Sequence, residues 1–460
     1  MRCAKLLPIA LAALAGGCAG SRPDVPVTSA VTAPVMWRTD LGPGQPIAVD
    51  WWVGFGDPVL PGLIERALTN NPDLAIAAAR VEEARAAERL SRAQLLPQLN
   101  AVAPGADARA LNPFGIATTN FGAQPGVTAS YDLDLFGRLR SASAAARAQM
   151  LASEGARDTV RLAIVSSVVS GYIALRALDA RLNVARETLG ARREALRIAR
   201  RRAQTGYTSN LEMHQAEGEY AATEQLIPQT ELAVSRQENA LNLLLGNNPG
   251  PVARGLPLDR LTTPAIPDGL PATLLRRRPD LFQAEQNLVA ADRTLDSARA
   301  AMMPNVSLTG SAGLVLSTAL AQPVGVFSLG GSILAPIFDG GRLRAQTGVA
   351  TARRDQAAFA YQKAALSAFR DVEDGLAGVR RSNEQAAALT RQRDALSAAL
   401  RNASNRYRAG YSSYLDQLDT QRGLLTAELS LVQARADKLT AYVALYQALG
   451  GGWSARQNRP

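Results

Sequence analysis

The sequence predicts a mainly α-helical protein that also carries membrane β-strands, built from two internal repeats. Three observations predict it. First, short motifs return at a fixed offset. Gly137-Arg138-Leu139-Arg140 recurs as Gly341-Arg342-Leu343-Arg344, Gly206-Tyr207-Thr208-Ser209 as Gly410-Tyr411-Ser412-Ser413, and Leu245-Gly246 as Leu449-Gly450, each 204 residues later. An earlier anchor, Asn71-Pro72-Asp73-Leu74, recurs as Arg278-Pro279-Asp280-Leu281 at 207. Such spacing marks one structural unit duplicated about a pseudo-symmetry axis. Second, each copy holds segments of about ten residues with strict apolar/polar alternation, the length and period of a tilted membrane strand. Third, each copy holds a proline-free stretch of 69 residues, 137–205 and 341–409. At about 1.5 Å per residue each would be roughly 100 Å long as a helix, far beyond a globular one.

The N-terminus comes first. The chain of 460 residues has only two cysteines, Cys3 and Cys18. Residues 1–17 read as a secretory signal, with Arg2 and Lys5 ahead of a mostly apolar run from Leu6 to Leu14 and then small residues. Leu14-Ala15-Gly16-Gly17-Cys18 resembles a bacterial lipoprotein cleavage box, with Ala15 where leucine is usual. The implied mature chain begins at a Cys18 that carries covalent lipid, and it has no second cysteine for a disulfide. Ala19, rather than Asp, after that cysteine suits delivery to the outer membrane. Residues 18–50, rich in Pro, Ser, Thr and Gly, read as an extended tether. The net charge of +10 is spread along helix faces rather than gathered in a basic run with aromatics, so no nucleic-acid partner is expected.

The first repeat spans 51–246. A short amphipathic helix is expected from about Val59 to Thr69. A second starts at Asn70-Asn71-Pro72-Asp73, where a capping side chain, a first-turn proline and an acid follow one another. Pro97 stops it, and Pro304 stops its counterpart, each 25 residues after the starting proline. Strands are expected over about 98–110 and 126–136, joined by a loop near 111–125. Val127, Ala129, Tyr131, Leu133 and Leu135 would share one face, with Thr128, Ser130, Asp132 and Asp134 on the other. The long helix 137–205 carries Val168, Leu175, Leu182, Leu189 and Leu196 at heptad spacing. A turn containing Gly206 leads to a return helix over 209–245.

Residues 247–271, rich in Pro and Gly, link to the second repeat at 272–450. Its strands are expected over about 305–316 and 324–335, with Val306, Leu308, Ala312, Leu314 and Leu316 on the apolar face. Its long helix is 341–409 and its return helix 413–449, followed by a tail at 451–460. The seam of the return helix reads Leu415, Leu418, Leu425, Leu429, Val432, Ala436, Leu439, Val443 and Tyr446, with Arg422 as the one break. Four strands cannot close, and an open edge in lipid would leave backbone groups unsatisfied at several kcal/mol each. Several chains must therefore complete a barrel: two would supply eight strands, which side chains fill, and three would supply twelve, enough for a channel.

These residues resemble the TolC-like outer-membrane efflux family, in particular the lipoprotein outer-membrane factors of tripartite, RND-type efflux systems. The resemblance covers about residues 51–453. It is carried by Trp51-Trp52, Phe55, Asp57-Pro58, Leu63-Ile64, Ala67-Leu68 and Asn71-Pro72-Asp73-Leu74, then by Arg277-Arg278-Pro279-Asp280-Leu281 and Phe338-Asp339-Gly340-Gly341-Arg342. The segments Arg406-Tyr407, Gly410-Tyr411-Ser412-Ser413-Tyr414-Leu415-Asp416 and Leu445-Tyr446-Gln447-Ala448-Leu449-Gly450-Gly451-Gly452-Trp453 complete it. It implies a homotrimer: a twelve-stranded β-barrel in outer-membrane lipid continued by an α-helical barrel in the periplasm. It also implies docking to a periplasmic adaptor (a membrane fusion protein) and an inner-membrane pump, and passive exit of drugs or other small molecules. Some relatives serve type I protein secretion instead, and a reading from another class is a structural coiled-coil lipoprotein; the alternating hairpins disfavour the latter.

No catalytic constellation, phosphate loop or metal cluster is present in the sequence, so neither an enzyme nor a cofactor is expected. His214, the single histidine, reads as an ordinary surface residue. The family likeness places a gate at the two glycine turns. Asp416 and Asp419 stand i, i+3 on one helix and would form acidic rings around a three-fold axis. The same likeness links Tyr407 in the preceding helix to Glu212 in the first repeat. Where the family has a basic residue in its closed-state links, this chain has Ser412. An adaptor-docking tip is expected at Arg202, Gly206, Tyr207, Thr208, Ser209, Arg408, Gly410, Tyr411, Ser412 and Ser413.

Overall fold

The computed structural model describes residues 22–39, 47–111, 113–266 and 271–453. The signal segment, Cys18 and the last residues of the tail lie outside them. The chain divides into two compact units. Unit one comprises the N-terminal segment to Val31, Ala79–Gly155 and Gln283–Lys363; unit two comprises Thr32–Ala78, Ala156–Phe282 and Ala364–Pro460.

Unit one contains an antiparallel sheet of six segments: β1 Gln98–Val102, β2 Gly105–Leu111, β3 Ala117–Ala123, β4 Gly126–Asp132, β5 Asn305–Ser317 and β6 Val324–Leu334. They form four strands, because β1 and β2 are one strand interrupted at Pro104, and β3 and β4 one interrupted at Pro125. Val102 pairs with Gly126 below the break and Gly105 with Ala123 above it, so the register carries straight through. A proline has no N–H for the ladder, but its carbonyl still accepts: Gln124 donates to Pro104 at 2.8 Å and Leu314 to Pro125 at 2.9 Å. The backbones close in at this level. A Cβ on Gly126 would lie 2.6 Å from the Ala312 carbonyl oxygen, and one on Gly313 would lie 2.5 Å from that of Pro125, so both positions require glycine.

Register sorts the side chains onto two faces. Leu99, Val127, Tyr131, Leu308, Leu314, Leu316, Phe327, Leu329 and Ile333 share one face, with Phe327 and Leu329 more than four-fifths exposed. The opposite face carries Thr128, Ser130, Asp132, Ser307, Thr309, Ser311, Ser328 and Ser332, with Asn305 donating to Asp132 at 3.3 Å and the Ser311 and Ser328 hydroxyls 2.9 Å apart. The outer strands, β1–β2 and β6, each pair on one side only.

The first-repeat strands differ from the sequence expectation at both ends. The second starts at Ala117 rather than 126, leaving a loop of five residues, and it stops at Asp132 rather than 136. Asp134 is the reason. It takes φ +48°, which no strand allows, and its carboxylate accepts the Leu139 and Arg140 N–H groups at 2.9 Å each at the start of the following helix. Asp339 does the same in the second repeat for Gly341 at 3.0 Å and Leu343 at 2.9 Å.

The helices are α1 Leu60–Asn70, α2 Pro72–Ala93, α3 Arg138–Gln204, α4 Asn210–Glu224, α5 Leu226–Leu244, α6 Pro271–Leu274, α7 Pro279–Ala300, α8 Arg342–Arg408 and α9 Tyr414–Ala448. Helices α3 and α8 have 67 residues each. Helix α3 contains a stretch long and apolar enough to cross a membrane, half of it buried against the rest of the protein. The first return helix is not continuous as expected but is broken into α4 and α5. Pro228 cannot donate to the Glu224 carbonyl, and the break falls at Gln225. In α9 the seam residues Leu418, Ala436, Leu439, Val443 and Tyr446 are buried, whereas Leu415 is 58% exposed.

In unit two, Asp57 is buried and fully partnered. It accepts from Val59 (2.8 Å) and Leu60 (3.2 Å) at the start of α1, from Leu256 N–H (2.8 Å) and from the Tyr172 hydroxyl (2.9 Å), which itself accepts from Gly255 N–H at 2.8 Å. The Trp51 ring stacks on Tyr446 at 5.0 Å. Equivalent positions of the repeats do equivalent work: Asn71 Nδ2 donates to the Leu244 carbonyl at 2.8 Å, and Arg278, 207 residues later, donates to the Ala448 carbonyl at 3.1 Å.

The N-terminal segment is less free than a tether. In unit one Arg22 pairs with Asp292 and Asp296, and the fully buried Arg354 of α8 donates to the carbonyls of Pro23 and Asp24. In unit two the Arg38 N–H donates to Glu373, and Trp37 lies against Phe369.

Candidate functional site

Unit two brings the two glycine turns together. Each ends a long helix in the same way. Gly206 (φ +73°) donates to Ala203 at 3.1 Å and Tyr207 to Arg202 at 2.9 Å; Gly410 (φ +81°) donates to Tyr407 at 3.1 Å and Tyr411 to Arg406 at 2.9 Å. This paired pattern closes a helix through a left-handed residue, which explains both glycines without any further role. Tyr207 and Tyr411 then stand 77% and 79% exposed. Ser413 caps α9, its hydroxyl accepting from Asp416 N–H at 3.4 Å, while Ser209 precedes α4 without a side-chain cap.

Four helices converge behind the turns. Leu196 and Ala199 of α3, Ala216 of α4, and Tyr414 and Leu418 of α9 form a buried apolar cluster, with Tyr220 and Tyr407 packed against it. The Tyr407 and Tyr414 rings meet at 5.6 Å. The Tyr407 hydroxyl donates to Glu212 at 3.1 Å, across 195 residues of sequence and from one repeat to the other. Burial first, and the Glu212 carboxylate second, push this phenol above its ordinary range, so it remains a donor at neutral pH. The Arg202 guanidinium lies over both the Tyr207 ring (5.6 Å) and the Tyr407 ring (5.1 Å). Thus Arg202, Tyr207, Tyr407 and Glu212 make one connected group.

Asp416 and Asp419 lie on the exposed side of α9, outside this group, and neither has an ion pair among the described residues. Arg408 is likewise exposed. Thr208 and Ser412, equivalent positions 204 residues apart, each bury a hydroxyl oxygen without a partner. His214 is exposed, 3.6 Å from Glu217.

Sequence reasoning missed a second polar link. Glu219 of α4 is gripped by Arg192 of α3 and by Arg422 of α9, whose Nε lies 2.5 Å from Oε1. Arg192 is 3% exposed. Removing one partner from a pair so deeply placed costs roughly 3–5 kcal/mol, against about 1.5 kcal/mol for a half-buried hydrogen bond such as Tyr407–Glu212. The signal was Arg422 itself, the one charged residue on the apolar seam of its helix.

The outer membrane efflux protein family model matches residues 63–247 and 270–451. The second segment begins 207 and ends 204 residues after the first, the offsets at which the motifs recur. The chain is 37% identical over 417 residues to the solvent efflux pump outer membrane protein SrpC of Pseudomonas putida, covering 88% of this chain and 87% of that protein. It is 34% identical over 457 residues to the cation efflux system protein CusC of Escherichia coli O6:H1, covering 98% and 99%. Among solved structures, the outer-membrane channel OprN superposes with a TM-score of 0.87 at 29% identity, covering 95% of this chain and all of that one.

Proposed function

The chain belongs to the outer membrane efflux protein family, and from that premise we propose that it is the outer-membrane duct of a tripartite efflux pump, assembled from three copies. The sheet of unit one carries the proposal. One of its faces is apolar and exposed, the other bears hydroxyls and carboxylates, and its two outer strands each pair on one side only. Lipid suits the first face and water the second, and edge pairing between copies satisfies the unpaired backbone groups. Three copies of four strands give a twelve-stranded wall that encloses an aqueous passage.

In this reading the protein catalyses nothing and holds no cofactor. It conducts small molecules passively, with an adaptor and an inner-membrane pump supplying selection and drive. The relatives are named for solvents and for cations, which favours small cargo over secreted protein. Cys18 carries the lipid, only four residues before Arg22 and its ion pairs with Asp292 and Asp296. The paired turns form the periplasmic tip. There Asp416 and Asp419 make the acidic constriction, and the exposed Tyr207 and Tyr411, with Arg202, Arg408 and the turn hydroxyls, meet the adaptor. The tip opens by a swing of the second-repeat hairpin away from the first, a movement between packed helix pairs.

Mass measurement in mild detergent should give three copies, and planar bilayers should give channels. Replacing Asp416 and Asp419 together by Ala should raise single-channel conductance and weaken block by cations. A water-soluble monomer without channel activity would overturn the reading; unchanged conductance in the double variant would remove this pair from the constriction.

A further inference from the structure

We propose that Glu219 is the principal fastener between the two repeats at the tip, and that opening requires Arg422 to leave it. The inference rests on the duct reading above and names the residues on which its gate turns. Helix α4 presents two carboxylates seven residues apart, hence on one face: Glu212 and Glu219. Each holds a different helix of the second repeat. Glu212 accepts from Tyr407 of α8 at 3.1 Å, and Glu219 accepts from Arg422 of α9 at 2.5 Å. One helix face of the first repeat therefore grips both arms of the second-repeat hairpin, the element whose outward movement opens the tip.

The two grips are unequal. Tyr407 to Glu212 is a single bond from a neutral donor. Glu219 is 12% exposed, receives charged donors on both oxygens, and is braced from behind by Arg192, which is almost fully buried. Arg422 stands on the apolar seam between Leu418 and Leu425, where an aliphatic side chain would pack without a partner. A charge on a seam fixes register and partner at some cost in stability, which suits a joint that must re-form in one place after each opening. The brace is also under-partnered: Arg192 Nε is buried without an acceptor. Gln417 and Gln421, on the same stretch of α9, each bury an unpartnered side-chain oxygen. Once Arg422 moves, little else polar holds α9 to α4.

The test uses the full-length protein, purified in detergent and placed in planar bilayers. Arg422→Gln leaves Glu219 paired with Arg192, so the fold is kept while the link between repeats is cut. Glu219→Gln cuts the same link from the other side. Each should raise the open fraction at least about tenfold, and the double variant should exceed neither, because both changes remove one bond. Oligomer mass and thermal unfolding of Arg422→Gln should match the unaltered protein, a result that separates a fastener from a general support. An unchanged open fraction in Arg422→Gln, or additive effects in the double variant, overturns the inference. Failure of the unaltered protein to form channels at all would instead overturn the duct reading.

Discussion

The junction around Asp57 and the tip around Glu219 lie in the same unit and are both built on a carboxylate, yet they are finished differently. Asp57 receives four donors, and the tyrosine among them has its own oxygen satisfied. At the tip, Thr208, Ser412, Gln417, Gln421 and Arg192 each bury a polar atom with no partner. A closed hydrogen-bond network is costly to open at any single point; an incomplete one has already forfeited part of its stability. The contrast teaches where the molecule is fixed and where it yields.

The sharpest way to break the contrast is at Asp57. Asp57→Ala strands the Tyr172 hydroxyl and the N–H groups of Val59, Leu60 and Leu256. It should lower stability by roughly 3–5 kcal/mol, seen as an earlier denaturant midpoint. A loss as small as that from a tip variant would erase the distinction. The next effect is a titration. Burial pushes the Tyr172 phenol up to about 12 from an ordinary value near 10. Its folded form therefore holds its proton where the unfolded chain has lost it. The stabilisation is complete below pH 10 and is lost as pH rises from 10 towards 12, by about 2 kcal/mol. Unfolding measured across that range should show the loss, and Tyr172→Phe should abolish it. The smallest effect belongs to Tyr407→Phe. Losing one half-buried bond, about 1.5 kcal/mol, should raise the open fraction about tenfold with little change in the unfolding temperature.

Local pattern made the architecture readable, and pairing across distance hid the fasteners. The strands β5 and β6 and the ends of the long helices follow from alternation and from proline and glycine, all signals within a few residues. The interruptions at Pro104 and Pro125 and the break before Pro228 carried such signals too; the alternating and helical patterns around them were read through the prolines. Asp134 was assigned to a strand by alternation, but the helix start five residues on had the stronger claim on its carboxylate. Glu219 and Arg422 stand 203 residues apart in different repeats, and nothing local joins them. Tyr407 and Glu212 were matched through family likeness, which supplies the long-range pairing that spacing does not.

The apolar stretch inside α3 has a consequence for how the protein is made. A chain bound for the outer membrane crosses the inner one unfolded, when no partner helix yet covers that stretch. During passage it resembles a stop-transfer signal, and lateral release into the bilayer would strand the polypeptide halfway. Secretion must therefore outrun partitioning, and substitutions that enrich this window in leucine should reduce the amount delivered before they alter any finished channel.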